Sequence, residues 1–115
     1  MNRQLLEKEF SESQIKTRKG SYGKNIDYIE TAAVIKRLND AFDADWSFEV
    51  VEHIIQDDDV VVLGKLSTNG IVKMQWGSRK IAKSNRTGNI ICLSDDLKSA
   101  TSDSLKKTAS LLGCR

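Results

Sequence analysis

The stretch VVVLGKLSTNGIVKMQWGSRKI, from Val60 to Ile81, decides the fold because it is typical of two strands joined by a tight turn. Residues 60–67 and 71–81 are rich in β-branched and other apolar side chains. Asn69-Gly70 between them favours a type I′ hairpin, since both central positions of that turn need positive φ. The register set by this turn predicts one shared core face with five apolar side chains: Val61, Leu63, Val72, Met74 and Trp76.

The segments on either side of this hairpin complete a sheet and cover it with helices. Residues 46–55 are rich in aromatic and β-branched side chains, which predicts a third strand that ends in the acidic turn 56–59. The predicted fold class is α+β, an antiparallel three-stranded sheet packed on helices in the order α-α-β-β-β-α. We expect one domain over the chain, with an N-terminal helix (1–10), a basic, glycine-bearing loop (11–26) and a core (27–115).

Capping patterns indicate where the two longer helices begin. Asp27 with Glu30 forms a capping-box pattern, which predicts a helix running to Phe42 with Tyr28 on its apolar face. Ser94-Asp95-Asp96 supplies a cap and two acids for the first turn of the last helix. That helix is predicted to bury Leu97, Ala100, Leu105, Thr108 and Leu112.

Composition restricts the classes of function. With 115 residues, 39% hydrophobic and 30% charged, the chain fits a globular domain, and no apolar run is long enough to span a bilayer. Cys92 and Cys114 are expected to be free thiols, which favours a cytoplasmic location, here associated with the nucleoid. We find no candidate catalytic residue, metal ligand set or phosphate loop, so we expect no enzyme activity, cofactor or small-molecule substrate.

Charge is segregated along the chain, although the net charge is only +2. Residues 40–59 hold eight acids and no Lys or Arg, whereas residues 60–93 hold six basic residues and no acid. Such segregation gives one acidic and one basic region, and a basic region of this kind favours a polyanionic partner.

Two basic segments contain the best candidates for contacts with nucleic acid. In residues 17–24, Arg offers paired hydrogen bonds to phosphate and Tyr offers a stacking surface. In the last helix, adjacent lysines diverge by about 100° and reach two sides of a groove. The candidate residues for DNA binding are Arg18, Lys19, Tyr22, Lys24, Lys80, Lys83, Arg86, Lys98, Lys106 and Lys107.

Each of these features also has a purely structural interpretation. Residues 17–24 are compatible with a flexible loop before a helix. The lysines are compatible with a solvated helix face on which Asp103 pairs with Lys107 at i,i+4. Trp46 and Trp76 offer stacking surfaces, but tryptophans in strands are usually buried, and we expect both in the core.

Three ordered motifs resemble the Rad52 family of single-strand annealing proteins, in particular its bacterial and phage DdrA- or Sak-like relatives. The motifs are Arg18 before the glycine-bearing residues 20–23; Tyr28-Ile29-Glu30 followed by Asn39-Asp40-Ala41-Phe42 and Trp46; and Ser102-Asp103-Ser104-Leu105-Lys106-Lys107 with Gly113. The resemblance covers about residues 14–113.

The resemblance implies that Arg18, Lys106 and Lys107 grip the backbone of single-stranded DNA in a groove. It also implies a homo-oligomeric ring that anneals complementary strands in DNA repair and recombination without hydrolysing nucleotides. Two family positions are not basic here, because Ser110 and Thr68 occupy them. Thr68 matches a position linked to a second DNA site, so the resemblance supports the inner groove better than that site.

Two alternatives remain open from the residues alone. A double-stranded-RNA-binding module also has a helix, three strands and a lysine-bearing helix, but the lysines here lie too deep in the last helix. A protein-interaction subunit would instead use the acidic segment 40–59 as its docking surface.

Overall fold

The computed structural model describes residues 1–19 and 23–114, and it has the predicted α+β architecture. The elements in chain order are α1 (Arg3–Glu7), β1 (Ile15–Lys19), β2 (Asn25–Ile29), α2 (Thr31–Phe42), β3 (Ser47–Gln56), β4 (Asp59–Thr68), β5 (Ile71–Lys80) and α3 (Leu93–Ser110). Strands β3, β4 and β5 form the three-stranded sheet in that order, and β1 with β2 forms a separate hairpin.

The β4–β5 hairpin has the turn and the register that the sequence predicts. Asn69 and Gly70 both have positive φ, at 48° and 76°. Thr68 pairs with Ile71 across the turn, and Leu63 pairs with Trp76 further along the ladder. The edge strands β3 and β5 are both antiparallel to β4, so they run in the same direction.

The predicted core face of this hairpin is wrong, because α3 packs against the opposite face. The buried residues of β4 are Val60, Val62, Gly64, Leu66 and Thr68. Val72, Met74 and Trp76 share a face as predicted, but they are 52%, 43% and 40% exposed. Both faces of β4 carry apolar side chains, so the alternation alone cannot choose between them.

Two glycines mark the face on which the helix lies. An added Cβ at Gly77 would lie 2.2 Å from the backbone nitrogen of Ser104, and one at Gly64 would lie 2.3 Å from the Ser104 hydroxyl. Glycine in a strand often allows such a close approach. The two glycines are therefore the sequence signal for the packed face. Ser104 donates from its hydroxyl to the carbonyl oxygen of Gln75 at 2.8 Å, which ties α3 to β5.

The predicted start of the second helix is also wrong. Asp27, Tyr28 and Ile29 belong to β2, and α2 begins at Thr31 with Glu30 in the N-cap position. The hydroxyl of Thr17 donates to the carboxylate of Asp27 across the hairpin at 3.1 Å, so this acid supports a strand pair and caps no helix.

The segment 11–26, predicted as a loop, contains strand β1 and the start of β2. In residues 11–19 and 23–26 the side chains are exposed, apart from the half-buried Gln14. The apolar alternation by which a half-buried strand is recognised is therefore absent. At the N-terminus, the helix predicted for residues 1–10 spans only Arg3–Glu7.

Within the described residues, the hydrophobic core consists of two clusters around α3. One joins the N-terminal segment, α2 and the distal part of α3 through Leu6, Leu38, Phe42, Leu105 and Ala109, with Trp46 packed against it as a half-buried residue. The other joins the start of β4 to the N-terminal half of α3 through Val60, Val62, Ile81 and Ala100.

Helix α3 itself agrees with most of its predicted pattern. It starts at Leu93 with Cys92 in the N-cap position, two residues earlier than the predicted Ser94 cap, and Asp95 and Asp96 lie in its first turn. Ala100, Leu105 and Thr108 are buried, whereas Leu97 and Leu112 are half-buried. No helix in the described part of the chain combines the length and apolar character needed to cross a membrane.

Candidate nucleic-acid interface

A groove of about 480 Å³ lies between the β1–β2 hairpin and α3. We call it the basic groove. Its lining comes from the hairpin, the start of α2, the end of β5 and one face of α3. The lining residues are Arg18, Tyr28, Thr31, Ser78, Arg79, Lys98, Ser99, Ser102, Asp103 and Lys106.

Tyr28 lies near two of the cations in the basic groove. The guanidinium carbon of Arg18 is 5.8 Å from the centre of the Tyr28 ring, and the ammonium of Lys106 is 5.9 Å from it. Lys106 also donates to the carbonyl oxygen of Ile29 at 3.4 Å. Both cations are within the range of a cation–π interaction, which orients them without neutralising their charge.

Helix α3 contributes a stripe of polar side chains to the groove. Lys98, Ser102 and Lys106 follow one another at intervals of four residues, so they lie on one face of the helix. With Arg18 and Arg79 from the other walls, four cationic side chains line one groove.

Asp103 is the acid among the lining residues, and its carboxylate is already engaged. It accepts a hydrogen bond from the backbone nitrogen of Ser78 at 2.9 Å and pairs with the ammonium of Lys107 at 3.0 Å. These contacts connect α3 to β5 and offset the negative charge of the carboxylate beside the groove.

The chain matches a known protein family along most of its length. A family model described as Rad52/22 family double-strand break repair protein matches residues 2–114. The chain belongs to the Rad52/22 family. The family supports a role in DNA repair and recombination, and it favours this assignment over a double-stranded-RNA-binding module. No curated protein matches the chain.

In this Rad52/22-family chain, the fold brings together three of the ten predicted DNA-binding residues. Arg18, Lys98 and Lys106 line the basic groove. Lys107 does not line it, and its side chain is 54% exposed beside Asp103. The i,i+4 pair of Asp103 and Lys107, which the purely structural interpretation expects, is thus present.

Four further predicted residues lie elsewhere on the Rad52/22-family fold. Lys19 and Lys24 are exposed at the far end of the hairpin, while Lys80 ends β5 and Arg86 lies in the following turn. Tyr22 lies outside the described residues.

Lys83 is committed to an ion pair with Asp58. A hydrogen bond from Lys83 holds the pKa of the Asp58 carboxyl below its ordinary value, and the charge of the same lysine acts in that direction too. Lys83 is therefore less available to a phosphate than the cations of the basic groove.

Sequence reasoning missed Tyr28 and Arg79 as residues of the groove. The capping pattern places Tyr28 on a helix face, and the charge pattern places Arg79 in the basic segment without indicating a site for it. The signal for Tyr28 is its place in the Tyr-Ile-Glu motif, ten residues after Arg18. Among residues 1–19 and 23–114, no three His, Cys, Asp or Glu side chains cluster in a way that would hold a metal ion.

Proposed function

We propose that this chain binds single-stranded DNA in the basic groove and promotes annealing of complementary strands as a homo-oligomer, without catalysis. The observation that carries the proposal is the convergence of Arg18, Arg79, Lys98 and Lys106 on one groove. Cations placed in this way neutralise backbone phosphates, which supplies affinity that does not depend on sequence.

The size and chemistry of the groove suit a single strand. Its volume of about 480 Å³ is in the range of small-ligand pockets, so a short length of backbone fits in it. Hydroxyls of Ser99 and Ser102 lie beside the lysines and offer neutral hydrogen bonds to phosphate oxygens.

Annealing requires that the bases stay available while the backbone is held. Phosphates bound along α3 leave the bases free to point outward and pair with a complementary strand. Several copies in a ring would hold successive lengths of the same strand, which raises the effective affinity through linked binding. Pairing itself then needs no covalent step and no nucleotide hydrolysis.

The proposal is tested by comparing a labelled single strand with the blunt duplex of the same sequence at one salt concentration. We expect tighter binding of the single strand and faster annealing of complementary oligonucleotides when the protein is present. Equal or better affinity for the duplex would contradict the proposal.

The variant Lys98→Ala/Lys106→Ala links this activity to the basic groove. Its matched control is Lys8→Ala/Lys36→Ala, which removes two exposed lysines that do not line the groove. We expect the groove variant to lose most of the single-strand affinity at moderate salt and the control to keep it.

A further inference from the structure

A second pocket, of about 400 Å³, lies between α2 and the segment around and after α1. We call it the α2 pocket. One wall is a face of α2 on which Ala33, Lys36, Arg37 and Asp40 recur at helical spacing. The other wall comes from residues 5–14, which precede the β1–β2 hairpin. The α2 pocket and the basic groove share no lining residue, so they are separate sites.

Arg37 is a buried cation in the wall of the α2 pocket, with only 7% of its surface exposed. Its guanidinium carbon lies 4.2 Å from the centre of the Phe10 ring, and Nη1 donates to the carbonyl oxygen of Lys8. An arginine has five N–H donors, and the others have no partner within residues 1–19 and 23–114. No carboxylate of those residues forms an ion pair with Arg37. Because a buried charge is usually paired, an anion in the pocket would supply the missing counter-charge.

The charges around Arg37 suit a group with one negative charge better than a polyanion. Lys36 pairs with Asp40 at 2.8 Å, so these two charges offset each other. Lys8, Glu9 and Arg37 are then left in the lining, and two cations with one acid give a single positive charge. The acids would repel the successive phosphates of a nucleic acid, whereas one carboxylate fits. Arginine binds a carboxylate through two parallel hydrogen bonds.

The rest of the lining provides for the groups that flank a carboxylate in a peptide. The side-chain oxygen of Gln14 accepts a hydrogen bond from the backbone nitrogen of Ser11 at 2.9 Å. This bond orients Gln14 and leaves its amide nitrogen to donate to a peptide carbonyl oxygen. Leu5 and Ala33 are half-buried and add a small apolar surface to the same pocket.

We propose that the α2 pocket binds a peptide segment of a partner protein through one carboxylate side chain and an adjacent apolar side chain. The carboxylate contacts Arg37, with the exposed Lys8 as a second cation, and the apolar side chain packs on Leu5 and Ala33. A volume of about 400 Å³ is in the range of pockets for small ligands, which suits a few side chains of an extended segment. This site goes beyond the proposed function, because DNA occupies the basic groove there.

The test begins with two arrays of heptapeptides that differ only at the central position, which is glutamate in one array and glutamine in the other. The flanking positions vary among alanine, leucine, serine and glycine, so that the apolar neighbour is sampled on both sides. The glutamate peptide that binds the labelled protein best is then titrated in solution by fluorescence anisotropy. We expect it to bind about tenfold or more tightly than its glutamine twin, which has the same shape without the charge.

Lys8→Glu tests the site without removing a buried group, since Lys8 is exposed. It places a like charge beside the carboxylate and should weaken binding of the glutamate peptide about tenfold or more. The matched control is Lys16→Glu, which makes the same charge change at an exposed position of β1 outside the α2 pocket. The control should keep the wild-type affinity.

Arg37→Met removes the guanidinium and should abolish the preference for glutamate over glutamine. Its melting temperature is measured alongside, because Arg37 also contacts Lys8 and Phe10. If this variant does not fold, Lys8→Glu decides. Binding of no glutamate peptide, equal affinity for the two twins, or wild-type affinity in Lys8→Glu would overturn the proposal.

Competition separates the α2 pocket from the basic groove. A single-stranded oligonucleotide should not displace the peptide, and Lys98→Ala/Lys106→Ala should bind the peptide with wild-type affinity. Displacement by the oligonucleotide, or weaker peptide binding by that variant, would place the peptide in the basic groove and overturn the proposal. If the peptide binds as expected but no single strand does, the α2 pocket stands and the proposed function is wrong.

Discussion

Lys106 both contacts the β1–β2 hairpin and lines the basic groove in which we propose that DNA binds. Its ammonium lies near the Tyr28 ring and donates to the Ile29 carbonyl oxygen, so it is oriented before a ligand arrives. If it contacts a phosphate, Lys106→Ala should flatten the dependence of log affinity on log salt by roughly 0.7, the value per phosphate for single strands. Anisotropy titrations at several salt concentrations measure this slope.

Lys107→Ala is the matched comparison for that change. Lys107 is paired with Asp103 and does not line the basic groove, so its loss should change the salt slope much less. Both variants should keep the free energy of unfolding within about 0.5 kcal/mol of the wild type, as expected for surface substitutions. Equal slopes for the two variants would show that the groove does not distinguish the neighbouring lysines.

The two cysteines should differ in reactivity. Cys114 is buried, and its burial raises the pKa of the thiol above the ordinary value of 9.0, whereas Cys92 is half-buried. We expect a thiol reagent at pH 8 to modify Cys92 in the folded protein and to reach Cys114 only on unfolding. Mass spectrometry of the partly labelled protein identifies the site.

The pKa of Cys114 also predicts how stability depends on pH. The unfolded chain releases the thiol proton near the ordinary pKa, while the folded chain retains it to higher pH. The contribution of Cys114 is therefore complete below that value and declines as pH rises through the folded pKa. Urea melts between pH 8 and 10, compared with Cys114→Ala, isolate this contribution.

At the scale of elements, the contact between α3 and the sheet depends on Gly77. An added Cβ there would meet the backbone of Ala100 and Ser104, which cannot turn aside as a side chain can. We expect Gly77→Ala to lower the free energy of unfolding by about 1–3 kcal/mol or more, the cost that is typical of overpacking. Denaturant melts measure this loss. Gly70→Ser would not test the same contact, because Gly70 has a positive φ and its replacement strains the backbone of the turn.

Gly88→Ala offers a contrast within the same chain. Nothing lies within 4 Å of a Cβ added at Gly88, so its cost comes only from its φ of +74°. Residues with positive φ favour glycine for conformational reasons, and that cost is of order 1 kcal/mol. A smaller loss at Gly77 than at Gly88 would contradict the close approach of α3.

The sequence predicted those elements whose signals are local. The Asn69-Gly70 turn, the three long strands and the last helix all follow from residues close together in the chain. The core face of β4 was not predictable from alternation, because both of its faces are apolar and only the position of α3 separates them. The hairpin was missed because a strand pair with exposed faces has no apolar period.

Only part of the candidate site was predictable from the sequence. Lys98 and Lys106 share one helix face by spacing alone, and Arg18 came from the family motif. Tyr28 and Arg79 join them only because β2 and the end of β5 pack beside α3, which is a matter of tertiary structure. The sequence also offered no reason to distinguish Lys106 from Lys107. In the structure only Lys107 forms an ion pair with Asp103, so the two lysines have different environments.

At the scale of the whole molecule, the charge segregation seen in the sequence becomes a spatial one. The acidic segment runs from the end of α2 through β3 to the following turn, while the basic segment includes β5 and reaches the groove through Arg79. Strand β5 thus contributes to two surfaces, with Ser78 and Arg79 lining the groove and the preceding residues at the edge of the sheet.

The two walls of the basic groove differ in how firmly they are held. Helix α3 is held by both hydrophobic clusters, whereas β1 and β2 pair with each other and touch the other described elements sparsely. A two-stranded hairpin without a covering layer is marginally stable. One wall can therefore open and close while the rest of the molecule stays folded, in the manner of a local unfolding unit.

This asymmetry has a kinetic consequence for a bound strand. A nucleic acid held between the walls would favour the closed hairpin by mass action, so occupancy and order of residues 15–19 and 25–29 become linked. Their amide protons should exchange early in the free protein and late once an oligonucleotide is bound, while those of α3 stay protected in both states. The hairpin would then act as a clasp whose lifetime sets how long each copy retains its strand.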